Sequence, residues 1–207
     1  MRNNSILVEI NMKKLNIIFC IFILLTCIYS AHASVPFDIL KEKIDRVFSI
    51  LNDPAYSDQS KKTEQHDILW SIIKEAFDFD GMARLTLARN WQAFTPAQQE
   101  EFAGLFGKFL GNTYLEKIQS GFSDEKVEYT GEELISDTKA VVMTNLLRKG
   151  VKTPVHYSLQ KKGESWRIYD VKIEGVSLLK NYRTQFSNIL LKERPEGLIA
   201  MLKEKLK

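Results

Sequence analysis

Cysteine is nearly absent from this chain, and its location limits what it can do. Only Cys20 and Cys27 occur in 207 residues, both inside an apolar N-terminal run. Residues 34–207 therefore hold no thiol for a disulfide, a metal site or a nucleophile. Histidine is almost as scarce, with only His66 and His156 beyond His32. There is no His-Glu-x-x-His, no Gly-x-Ser-x-Gly and no phosphate-binding glycine loop. Metal, nucleophilic and nucleotide chemistry thus leave no signature, and no cofactor is expected. His66, within "EQHD", reads as solvent-facing, and His156 alternates away from Val155 and Tyr157. Asp78 and Asp80 in "FDFDGM" form a pair that an acid–base scheme could use. Caps and turn residues at a helix break explain them more simply.

The apolar run comes first in the chain. Lys13 and Lys14 precede "LNIIFCIFILLTCI", and "SAHAS" follows with Ala31 and Ala33 at two small positions. A basic flank, a short apolar stretch and an Ala-x-Ala exit read as a secretory signal covering residues 1–33. The run falls short of the ~20 residues that a membrane span needs. A retained anchor is the competing reading. "LLTC" also loosely resembles a lipoprotein box ending at Cys27, although Thr26 fits that box poorly, and Met12 offers an alternative start. Cleavage after Ala33 leaves one domain, residues 34–207, large enough to build a core without disulfides in an oxidising compartment. The formal charge of +3 drops to +1 once Arg2, Lys13, Lys14 and Glu9 are removed. Nothing basic then remains to recommend a nucleic acid partner.

The rest of the chain reads as helices, then strands, then helices. Phe37, Leu40, Ile44, Val47, Phe48 and Leu51 recur at helical spacing after Pro36, until Asp53-Pro54 breaks the pattern. A second helix carries Ile68, Leu69, Ile72, Ile73 and Phe77, and a short third one Met82, Leu85 and Leu87. In "FTPAQQEEF", Thr95 is a natural N-cap, Pro96 suits the first helical position and Gln98 completes a capping box. That helix is predicted to run to about Ser120, with Gly104, Gly107 and Gly111 on one stripe that serves close packing or leaves room for a ligand. From Lys126 the period becomes two, and four strands separated by short turns predict an antiparallel meander. Two closing helices complete an α+β domain: a curved antiparallel sheet of about four strands on a helical layer, enclosing an apolar pocket.

"YDVKIEGVSLLKNYRTQF", residues 169–186, closely resembles the signature of the MlaC family, also called toluene-tolerance auxiliary proteins. The resemblance continues through "FDFDGMARLTLARNWQAFTPAQQEEF", with its Phe-Asp-Phe, Met-x-x-Leu and Leu-Ala-x-x-Trp pattern, and covers "KVEY", "TPVHYSL" and "GLIAML". Residues 35–74 match only in general character. A hopanoid-associated branch of the same superfamily is similar as well. The family consists of soluble periplasmic carriers in Gram-negative bacteria. They shuttle phospholipid between an outer-membrane lipoprotein–porin complex and an inner-membrane ABC transporter with its substrate-binding subunit, maintaining outer-membrane lipid asymmetry. The resemblance implies the same partners here, buried acyl tails, a monomer, and no covalent chemistry.

Taken with strand parity, the resemblance implies a pocket lined by Phe79, Met82, Leu105, Phe109, Val127, Tyr129, Val141, Met143, Val155, Tyr157, Val171, Ile173, Val176 and Tyr182. Trp166, Ile168 and Tyr169 can all face inward only if a bulge near Asp170 shifts the register. Arg183 would meet a headgroup or pair with Glu174, and Trp91 would anchor the helical layer. Other functions consistent with the residues are a carrier of hopanoid or another apolar lipid, a cargo-free adaptor of a transporter, and an enzyme built on Asp78 or Asp80.

Overall fold

The computed structural model describes Pro36–Lys207, apart from Asp124. The segment read as an export signal, with its Met12 and Cys27 alternatives, lies outside the described residues. The remainder is α+β in the predicted order. Helix α1 (Pro36–Leu51) buries Leu40 and turns Phe37 and Ile44 towards the sheet. Beyond it, Asp53 and Asp58 accept from Ala55 N (2.9 Å) and Ser60 N (2.7 Å), capping two 3-10 turns. Helix α2 (Lys62–Ala76) is fastened by the buried amide of Gln65, which donates to Ile50 O (2.8 Å).

Helix α3 (Phe79–Leu87) starts at Asp78, whose carboxylate accepts from Gly81 N (3.1 Å) and Gln160 and pairs with Lys162 (2.9 Å). Asp78 is therefore a helix cap tied to the sheet, and Asp80 is exposed. Helix α4 (Pro96–Gly121) carries the capping box as read: Gln98 N donates to Thr95 Oγ1 (3.3 Å), and Thr95 N donates to Gln98 Oε1 (2.9 Å). At about 1.5 Å per residue, it is the longest element described. Gln119, near its end, donates to Gln65 Oε1 (2.8 Å) and so joins α4 to α2.

Five strands form one antiparallel sheet in sequence order: β1 (Lys126–Ser136), β2 (Lys139–Arg148), β3 (Val151–Lys162), β4 (Ser165–Ile173) and β5 (Val176–Ser177). The two-residue β5 adds to the four strands expected. The β2–β3 turn places Lys149 and Gly150 at φ 47° and 79°, and the β4–β5 turn places Glu174 and Gly175 at 50° and 81°. Both positions of each turn are left-handed, which suits the twist of tight hairpins and favours glycine at the second. β1 carries two extra residues, Thr130 and Ile135, where its register with β2 shifts. β4 carries one, Tyr169, between the pairs Leu159–Ile168 and Ser158–Asp170.

The chain leaves the sheet through a buried polar corner. Asp170 accepts from Ser177 Oγ (2.6 Å) and Leu179 N (3.1 Å), and Ser177 caps α5 (Leu178–Leu190) by accepting from Lys180 N (3.0 Å). Arg183 does not pair with Glu174 in the structure. It donates to Leu85 O through Nε (3.0 Å) and Nη2 (2.6 Å), capping the C-terminal end of α3, where a cation complements the helix dipole. Helix α6 (Pro195–Glu204) ends the fold.

Two apolar clusters result. One lies among α3 to α6, around Met82, Phe102, Phe106, Tyr182, Phe186 and Leu198, with Trp91 packed against it. The other lies on the sheet beneath α1 and α2. Phe77 borders both. Within α4 the glycine stripe divides. A Cβ on Gly111 would overlap the Trp70 ring and one on Gly107 would crowd Phe79, whereas one on Gly104 would meet nothing within 4 Å. Gly111 and Gly107 are thus close-packing residues. Gly104→Ala should raise stability by about 1 kcal/mol, the propensity difference, moving Tm up by roughly 2–4 °C. Gly111→Ala should lower Tm despite the same gain in propensity, because an aromatic ring must move. Thermal unfolding of the two variants checks the opposite signs.

Candidate functional site

The inner face of the sheet is set by register. Val127 and Tyr129 in β1 stand opposite Leu146 and Thr144, and Thr144 and Val142 stand opposite Val155 and Tyr157 in β3. Tyr157 and Val155 in turn face Val171 and Ile173 in β4, and Leu159 faces Ile168. The result is a continuous apolar surface crossing four strands. Its one interior hydroxyl on β2 is satisfied, since Thr144 Oγ1 donates to Val155 O (2.8 Å).

Helix α1 roofs this surface. Leu40 is buried against it, Phe37 meets Tyr129 edge-on with ring centres 5.3 Å apart, and Phe37 N donates to Glu132 Oε1 (2.8 Å). Glu132 reaches the inner face because the extra residue Thr130 reverses the parity of β1. On its outer side α1 is held by Lys43 and Arg46, which pair with Glu75 of α2 at 3.0 and 3.3 Å. Such exposed pairs are weakened by solvent, so apolar contact provides most of the hold on the roof.

Between α1 and β1 runs a groove of about 340 Å³, lined by Ile44, Asp45, Phe48, Ser49, Asn52, Glu125, Lys126, Val127 and Tyr129. Two of its wall residues, Val127 and Tyr129, belong to the inner face. A second depression of about 420 Å³ lies among Trp70, Leu105, Lys108, Asn112, Lys203 and Leu206. That one sits on the outside of the helices, remote from the sheet face, and two of its six residues are lysines. The groove beside α1 is the better candidate because it leads to a large apolar surface under a weakly held roof.

Of the residues expected to line one pocket, Val127, Tyr129, Val155, Tyr157, Val171 and Ile173 share the inner face. Phe79, Met82, Leu105, Phe109 and Tyr182 belong instead to the cluster among the helices. Val141 and Met143 lie on the opposite face of β2, in register with Ser158 and His156. The inward set of β2, Ala140, Val142 and Thr144, includes a small residue and a hydroxyl, so apolarity alone selects the wrong parity. Val176 pairs with Ile173 and so shares its face, but at the end of the sheet it is 61% exposed. The α1 residues Phe37, Leu40, Ile44 and Phe48 are absent from the expected lining. Their helical spacing marks a buried face without saying what it covers.

Burial raises the pKa of three tyrosines. The Tyr157 hydroxyl is pushed up to about 12, and Tyr129 and Tyr182 are raised further, Tyr182 also through its contact with Tyr114 Oη (3.4 Å). All three remain neutral donors at physiological pH.

Comparison with known proteins places these features. The family model described as MlaC protein matches residues 41–204. The intermembrane phospholipid transport system binding protein MlaC of Haemophilus influenzae is 21% identical over 178 residues, covering 82% of this chain and 81% of that protein. The toluene tolerance protein ttg2D of Pseudomonas putida is 24% identical over 189 residues, covering 89% and 84%. Among solved structures, a phospholipid-binding protein from Ralstonia solanacearum, in complex with a phospholipid, superposes with a TM-score of 0.70 at 25% identity. The match covers 81% of this chain and 94% of that one.

A tyrosine whose folded pKa lies above its unfolded value stabilises the fold below the unfolded value and loses that contribution as pH rises through the folded one. Stability by urea unfolding should therefore hold to about pH 9 and fall between about pH 10, the ordinary tyrosine value, and about 12. Tyr157→Phe should make that fall shallower.

Proposed function

The chain belongs to the MlaC family, and from that premise we propose that it is a soluble periplasmic phospholipid carrier, exported by the segment read as a signal. Acyl tails enter between α1 and the inner face of the sheet, and the headgroup stays at the groove rim. Lipid passes between the substrate-binding subunit of an inner-membrane ABC transporter and an outer-membrane lipoprotein–porin complex. The observation that carries the proposal is the phospholipid complex of the Ralstonia solanacearum protein, whose chain this fold matches over 94% of its length.

The physical demands of carriage agree with the site. Two tails of ~15 methylenes gain roughly 24 kcal/mol of gross burial at about 0.8 kcal/mol each, beyond the ~18–21 kcal/mol where non-covalent affinity saturates. A bilayer offers nearly the same burial, so a carrier works on the small difference between two apolar hosts. A roof held mostly by apolar contact suits such an exchange. When tails leave, α1 closes over the face they exposed, and when they arrive, it gives way. Partner binding then shifts the balance by preferring the loaded or the empty form. Of the two carboxylates that an enzyme would use, Asp78 is occupied as a cap and a sheet tie, and Asp80 is exposed.

Protein purified from its native host without detergent should carry phospholipid, identified by mass spectrometry of the extracted lipid. A folded, empty protein that takes no lipid from donor vesicles would sink the carrier. Val127→Trp, which fills the groove from its half-buried edge, should reduce uptake at least tenfold with Tm nearly unchanged. Undiminished uptake by that variant would remove the tails from this groove.

A further inference from the structure

One polar atom on the inner face is not accounted for by packing. The Tyr129 hydroxyl is sealed from solvent and, among the described residues, has no hydrogen-bond partner. The ring is held in place by Phe37 edge-on at 5.3 Å, by Lys41 Nζ at 5.7 Å from its centre and by its register opposite Thr144. Thr144, opposite it, donates its own hydroxyl to Val155 O and makes no hydrogen bond to Tyr129. A buried hydroxyl left unpaired forfeits its hydration without recompense, and phenylalanine would pack the same surface without that cost. Such an atom calls for an explanation, and the residue that carries it lines the groove beside α1.

The chemistry of the missing partner follows from the position. Desolvation keeps the phenol protonated, so it serves as a donor and needs an acceptor. A phosphate is a poor match, since burying its charge beside apolar residues is expensive without a cation. Lys41 is already paired with Asp45 (2.5 Å) at the rim. A neutral carbonyl fits, because it loses its water on entering the groove and must regain a donor. In a diacyl lipid the ester carbonyls sit where the charged head meets the tails, as Tyr129 sits between the charged rim and the apolar face.

Resting on the carrier function proposed above, we propose that Tyr129 Oη donates a hydrogen bond to an ester carbonyl of the cargo, making the site selective for diacyl over dialkyl-ether lipids. The full exported protein is offered fluid vesicles containing equal amounts of ester-linked and ether-linked phosphatidylcholine of the same chain length. The lipid taken up is measured by mass spectrometry. Wild-type protein should favour the diacyl lipid about fivefold, the equivalent of the ~1 kcal/mol net worth of one neutral hydrogen bond. Tyr129→Phe should load both lipids with a ratio near one. Equal uptake by the wild type overturns the assignment whatever the variant does, so the test survives a variant that folds poorly. A preference retained by a folded Tyr129→Phe overturns it too. Uptake of neither lipid by the wild type overturns the carrier function, and this inference with it.

Discussion

The architecture depends on one extra residue in β4. A regular strand would alternate Trp166, Ile168, Asp170 and Lys172 on one face, leaving Val171 and Ile173 on the other. The insertion of Tyr169 between two register pairs resets the parity. Trp166 and Ile168 face inward before it, Val171 and Ile173 after it, and all four join the sheet cluster. Asp170 is turned to the opposite face, where Ser177 Oγ and Leu179 N reach its carboxylate. A local irregularity thus lengthens the apolar surface and seats the anchor for α5. Tyr169 itself packs against the helical cluster, so the bulge also helps join the two cores.

That division into two cores separates two demands. The cluster among α3 to α6 is dense in aromatic edge-to-face contacts, with Phe102, Phe106, Tyr182 and Phe186 in mutual range. Packing of that kind resists change, since a close-packed interior responds to the loss of even one methylene. The sheet cluster lies beneath α1 and the end of α2, and the polar ties of α1 to its neighbours are mostly solvent-exposed. Rigidity resides in the first and adaptability in the second. A carrier built this way can change its contents without endangering its fold.

Local chemistry makes much of this legible in the sequence. The capping box at Thr95, the proline helix starts at Pro36, Pro96 and Pro195, and the tight turns at Gly150 and Gly175 each act within a few residues. The need for a bulge near Asp170 is also readable, because too many large residues claim one face. What cannot be read depends on distant partners. The parity of β2 turns on Thr144 being satisfied by β3, and Arg183 finds a carbonyl 98 positions away. Helix α1 matches known patterns least well, yet it covers the inner face of the sheet. Its amphipathic spacing says that something lies beneath it, and only the fold says what.

The two irregularities in β1 have a further consequence. Among the described residues β1 is the open margin of the sheet, whereas β4 is covered on its far side by Phe77 and β5. An eleven-residue strand with a free row of amides and exposed Leu134 and Ile135 is a ready template for a second copy. Thr130 and Ile135 interrupt the row at intervals too short to leave a straight ladder, and Glu128, Glu132 and Glu133 add like charges along it. The kinks that bring Glu132 under α1 also spoil edge-to-edge pairing. Protection from aggregation is built into the same strand that forms the mouth of the groove.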